Sequence, residues 1–295
     1  MTEPEANRYA AALFLLALVT SGAFYFAPSL AWWFSGGMSI VGLILVGIPH
    51  GALDVLTHGV RNNPSAPLVY IGKYLAAIGL VLMGWLFMPT LTLIGFLLLS
   101  AWHFGQADFE LWKVERGGMI WGLFVLGMIL GWHLDEVQSI LLPLGVSDVV
   151  LSGVEGASNW IEIATIVGWL LALAFAIYLR KPLWIWSLLM LVTAPFIPVL
   201  MAFMIFFVGQ HSLAGWSHLK NGLKMSSLQL WVRAAPFHLG AWAIIIGGVY
   251  LFGSNDTYSF HATVGWFFAL LGSISIPHII ESHIFIQSIK SGNQP

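Results

Sequence analysis

Gly47-Ile48-Pro49-His50-Gly51-Ala52-Leu53-Asp54 closes an apolar run that begins near residue 36. An imidazole and a carboxylate four residues apart share a helical face. A run of this length and apolarity matches the hydrocarbon core of a bilayer. Ionisable groups at that depth are costly, so they mark functional sites by default. Two questions follow: how many such spans the chain has, and which of them bring partners to this face.

The composition answers the first in outline. Of 295 residues, 59% are hydrophobic and 8% charged, where soluble domains carry about 25% charged residues. The expected class is therefore all-α, a polytopic transmembrane helical bundle forming a single domain over 1–295. A net charge of −2 with no basic patch excludes nucleic acid as a partner. The absence of cysteine excludes disulfides and thiolate ligands. The stretch Met1 to Asn7 is acidic and no small-residue cleavage site follows, so Tyr9 to Ala27 reads as a retained helix rather than a signal peptide. The 15 Trp and 20 Phe either pack and face lipid or line an apolar pocket.

Hydropathy places about ten spans, near 9–27, 36–57, 68–88, 90–108, 118–133, 160–179, 182–198, 199–219, 234–252 and 261–286. The connections 28–35, 134–159 and 253–260 contain no Lys or Arg, and all 11 basic residues fall at the opposite ends. The positive-inside rule then puts both termini in the cytoplasm, and the expected location is the cell inner (plasma) membrane. The segment 134–159, with Asp135, Glu136, Asp148 and Glu155 among apolar residues, reads as an external amphipathic loop or interfacial helix.

Histidine answers the second question. Of the 10 His, four lie within spans that all run inward: His50, His103, His211 and His278. They fall 14, 13, 12 and 17 residues from the outer ends of those spans, at roughly one depth for a rise of about 1.5 Å per residue. Four helices offering imidazole at one level would suit a metal held in a bundle core, and imidazole suits Fe, Zn, Cu or Ni. A lone His in a membrane helix is more simply a hydrogen-bonding packing residue. Metal-bound His usually donates its other N–H to an acceptor, and Asp54, Asp108 and Glu281 stand close enough in sequence to accept. His218, one heptad after His211, and His283 are further ligand candidates, while His133, His238 and His261 sit near expected span ends and read as interfacial. There is no GxSxG, P-loop or CxxC, and the paired His boxes of membrane diiron desaturases are absent.

At these residues the chain resembles the Brp/Blh family, the bacterio-opsin-related β-carotene 15,15′-dioxygenases. The matching pieces are Gly47-Ile48-Pro49-His50-Gly51-Ala52-Leu53-Asp54, Trp102-His103-Phe104-Gly105-Gln106-Ala107-Asp108-Phe109, Gln210-His211-Ser212 and Ile276-Pro277-His278, spread from about 40 to 285. The resemblance implies an Fe2+-dependent membrane oxygenase that cleaves β-carotene, or a related carotenoid, at its central double bond with O2 to give two retinal molecules. It implies a microbial rhodopsin as the functional partner that takes up the retinal. It assigns catalytic metal-site histidines to His50, His103 and His211. Many members carry a further His four residues after the position of His211, where this chain has Gly215. The fourth ligand is then His218 by motif proximity or His278 by depth.

A hydrocarbon substrate dissolved in the bilayer calls for an apolar wall, and Trp102, Phe104, Phe206, Phe207 and Trp216 flank the His motifs; core packing accounts equally well for each. Two other readings remain open on the sequence. Four His on four helices could form two bis-His haem sites. Alternatively, the chain could bind a carotenoid, or carry a metal, without cleaving anything.

Overall fold

In a computed structural model the chain is all-α: the described residues, 3–61, 67–253 and 260–290, form helices and short turns and no strand. Among them, eight helices are long and apolar enough to cross a membrane: Glu5–Phe26, Pro28–His58, Leu68–Phe87, Pro89–Trp112, Ser158–Tyr178, Val199–Gly222, Ser227–Leu251 and Phe260–Ser288. A ninth arises if Gly118–Leu130 and Leu134–Leu144, bent by 90°, form one broken span. The protein is a multi-pass membrane protein.

The expected ten spans are corrected in two places. The span at 182–198 is a ten-residue helix, α11 (Pro182–Leu191), followed by a 3-10 turn at Ala194–Phe196. Pro195 and Pro198 lack the N–H that would continue it. The connection expected at 28–35 is helical: α1 (Glu3–Phe26) is followed after Ala27 by α2 (Pro28–Gly42). Proline suits the first helical position, where its missing N–H has no partner to lose. His50 therefore lies 22 residues past its helix start, against 14, 12 and 18 for His103, His211 and His278. The connections after His58 and at 253–260 fall mainly on residues 62–66 and 254–259, outside those described. The segment 134–159 is helical, as α8 (Leu134–Leu141), a short 3-10 turn and α9 (Asp148–Gly156).

The described chain divides into two compact units. The first runs to Gly47 and adds Ala101–Val137 and Ser152–Ser217; the second comprises Ile48–Ser100, Gln138–Leu151 and the chain from His218 onward.

In the first unit, α1 packs on α2 and α11, and α10 (Ser158–Tyr178) packs on α7 (Gly118–Leu130) and α11. The end of α6 (Pro89–Trp112) crosses α7 backbone to backbone. A Cβ on Gly105 would overlap the Gly118 carbonyl, and one on Gly122 would overlap Ala101. Small residues four apart on both helices allow this approach, as is common where helices pack in membranes. Two stretches wind as π-helix, Leu43–Gly47 and Ile205–Ser212, and they pack on each other. Gly42 makes room for this, since a Cβ there would stand 2.6 Å from Val208 Cγ1. One extra residue in a helix turns everything after it by about 100°. The π stretch at Ile205–Ser212 thus re-aims the His211 motif relative to the helix that leads into it.

In the second unit, α15 (Phe260–Lys290) packs on α14 (Ser227–Gly253), α5 (Pro67–Phe87) and α4 (Asp54–Arg61), and α3 (Ile48–Gly51) packs on α14. Ile48, Ile245, Leu270 and Leu271 form one buried cluster; Trp85, Leu144, Val146, Leu151 and Ala269 form another. Pro277 lies inside α15, one residue before His278, and removes a backbone hydrogen bond there.

Candidate metal centre

The second unit brings His50 and His278 together. Both are buried, and their rings meet edge to face with centroids 4.9 Å apart. Helix α3 ends at Gly51, and a turn at Ala52-Leu53 precedes Asp54 at the start of α4. This break corrects the expectation of one continuous face carrying His50 and Asp54. Asp54 is buried and faces the other histidine: His278 Nδ1 lies 2.9 Å from Oδ1 and 3.1 Å from Oδ2. The Tyr74 hydroxyl, from α5, donates to Asp54 Oδ2 at 3.0 Å and approaches the Ile274 carbonyl at 3.4 Å. A carboxylate buried in an apolar medium requires such donors.

Glu281, one turn after His278, is also buried, but it turns elsewhere. Its Oε2 lies 3.6 Å from His58 Nδ1. The Thr57 hydroxyl lies 3.2 Å from Glu281 Oε1 and 2.9 Å from the Asp54 carbonyl, and donates to one of them. His58 stacks on Tyr70 at 4.0 Å. Glu281 thus meets the His58 ring as well as the Thr57 hydroxyl.

The first unit brings His103 and His211 together. Both are buried, with ring centroids 4.8 Å apart at 75°. Phe104 meets the His211 ring edge-on at 4.7 Å, and Phe207 stacks on it at 5.8 Å and 27°. Phe206 packs against Phe104, and Phe203 stacks on Phe207. Two of the expected wall residues, Phe104 and Phe207, therefore stand directly on a candidate ligand, while Trp102 and Trp216 are half-buried beside their motifs. Ser212 closes the π stretch by donating to the Phe207 carbonyl at 2.7 Å.

Asp108, fully buried, accepts from Trp121 Nε1 at 2.7 Å and from Gln210 Nε2 at 2.8 Å, both on Oδ2. Its partners are thus the neighbour of His211 and the crossing helix α7, rather than the His103 expected from sequence proximity. His218 sits half-buried on α13 (Leu213–Gly222). His133 approaches the Ala194 carbonyl at 2.9 Å, which ties two connections together. His238 is buried mid-way along α14, not at a span end, because α14 begins at Ser227.

Tyr74, Thr57, Tyr70 and Trp121 had no role assigned on the sequence, and Gln210 was only part of a motif. A phenol or indole in an apolar span is compatible with packing, and only the fold shows which of them points at a buried carboxylate.

A family model described as beta-carotene 15,15'-dioxygenase matches residues 41–285. The matched stretch encloses both histidine pairs and the carboxylates around them. No curated protein and no solved structure matches the chain.

Proposed function

Because this chain belongs to the beta-carotene 15,15'-dioxygenase family, and is by that membership a carotenoid-cleaving dioxygenase, we propose that it splits the central double bond of β-carotene with O2 into two retinal molecules. The observation that carries this reading is the family match over 41–285, which takes in His50, His103, His211 and His278. The reaction balances without a reductant: one carbon–carbon double bond and one O2 become two carbonyl groups.

For the cofactor we propose Fe2+, and the candidate ligands are His50, His103, His211 and His278, with His218 as the alternative to His278. Among the described residues no three His, Asp or Glu side chains form a ready metal-sized group; they form two pairs. The fit rests on the donor set. Buried imidazoles without thiolates suit iron, and the carboxylate on His278 Nδ1 is the usual outer support of a ligating histidine. Bound iron would supply the activation of O2 that a closed-shell polyene cannot achieve alone.

The chain's own groups do the rest. Asp54 keeps the proton of a neutral His278 on Nδ1, which leaves the lone pair on Nε2. Asp108 anchors Gln210 and, through it, the turn carrying His211. Phe104 and Phe207 keep water from the His211 ring and offer an apolar surface to a polyene, with Trp102 and Trp216 the further lining candidates. The substrate reaches the protein through the bilayer. The membrane we propose is the cell inner (plasma) membrane, and the consumer of the product a microbial rhodopsin.

The test is incubation of the purified protein with ferrous iron, β-carotene and air, followed by chromatography. Retinal should form, should stop with a chelator and should return with iron. Folded, iron-loaded protein that leaves β-carotene intact overturns the assignment.

A further inference from the structure

We propose that Tyr74 is a positioning residue of the metal centre: its hydroxyl holds the Asp54 carboxylate, and Asp54 in turn holds His278 against His50. The proposal rests on the ligand assignment above. It is carried by three contacts within one compact unit. Tyr74 Oη lies 3.0 Å from Asp54 Oδ2, Asp54 Oδ1 lies 2.9 Å from His278 Nδ1, and the His278 and His50 rings meet at 4.9 Å.

Each link has a physical reason. Asp54 is buried at the start of α4, and a lone carboxylate there would be costly. The His278 N–H answers mainly Oδ1, and the phenol answers Oδ2. With both oxygens held, the carboxylate plane is fixed, and the ring it accepts from has one orientation. The phenol comes from α5, an element that contributes no histidine to the proposed ligand set. It approaches the Ile274 carbonyl in the turn before Pro277, where α15 has lost a backbone bond. Tyr74 thus braces the acceptor of His278 from beside the weakened turn that presents it. Removing only its hydroxyl should leave the fold and Asp54 in place but free the carboxylate to rotate. A supporting hydrogen bond to a ligating histidine changes metal affinity by about 10–100-fold, and a partner one bond further out should fall near or below the lower end.

The test uses Co2+ as a spectroscopic substitute for ferrous iron, titrated into metal-free full-length protein while the visible d–d bands are followed. Wild type, Tyr74→Phe, Asp54→Asn and the double variant are compared, with thermal unfolding as the control for folding. Tyr74→Phe should weaken Co2+ binding several-fold and shift the bands at nearly unchanged unfolding temperature. In the Asp54→Asn background the same change should have little further effect, because Tyr74 acts through Asp54. Unchanged bands and affinity in Tyr74→Phe, or equal losses with and without Asp54, overturn the role of Tyr74 while the metal assignment stands. Wild-type Co2+ binding that persists unaltered in His50→Ala and His278→Ala overturns the metal assignment and the proposal with it.

Discussion

Asp54 and His278, 224 residues apart in the chain, meet through Nδ1 and Oδ1 at 2.9 Å. The carboxylate four residues after His50 therefore supports a different histidine, and the turn at Ala52-Leu53 separates it from the helix that carries His50.

Asp54→Ala should then act through His278. The variant leaves the Tyr74 hydroxyl and the His278 N–H without their acceptor, at about 1–3 kcal/mol for each buried group. Retinal formation should drop by about 10–100-fold, as is usual when the outer partner of a metal-bound histidine is removed. Product chromatography and a thermal melt measure the two effects separately.

His278→Ala and His218→Ala separate the two candidates for the last ligand. His278 is packed on His50 and held by Asp54, whereas His218 is half-buried on α13. Metal analysis after purification should show iron lost from His278→Ala and retained in His218→Ala. The opposite pattern would restore the motif-based choice.

Asp108 links Gln210 and Trp121 in the first unit. Asp108→Ala strands two buried donors and should cost about 2–4 kcal/mol, while Gln210→Ala removes one neutral partner of a charged group and should cost about 1–2 kcal/mol. Unfolding of the two variants in the same detergent orders them. Equal losses would show that Gln210 alone carries the network.

Two glycines on α6 should behave oppositely. Gly95 has open space where a Cβ would stand, so Gly95→Ala should be neutral or stabilising by up to about 1 kcal/mol. Gly105→Ala drives a methyl into the Gly118 carbonyl and should destabilise by more than about 2 kcal/mol, in the range of core overpacking. Yield and unfolding temperature of the two purified variants provide the comparison.

The multi-span helical architecture was legible in the sequence because long apolar runs have few other uses, and the family was legible because its histidine motifs are local. The π stretches were not. One inserted residue changes neither composition nor hydropathy, yet it rotates the motif that follows. Span 182–198 was apolar enough but is cut by Pro195 and Pro198, which a hydropathy window averages away. Asp54, Asp108 and Glu281 were candidate acceptors on the sequence, but which groups they meet was not legible, because His278, Gln210 and His58 come from other helices. Tyr74 carries no local signal, since a tyrosine in an apolar helix looks like packing until the carboxylate opposite it is known.

The most direct measurement is the product stoichiometry of the purified, iron-loaded protein acting on β-carotene in air. The predicted result is two retinal molecules for each β-carotene consumed, abolished in His50→Ala. Intact β-carotene, or apocarotenals of unequal length in place of retinal, would contradict central cleavage by this protein.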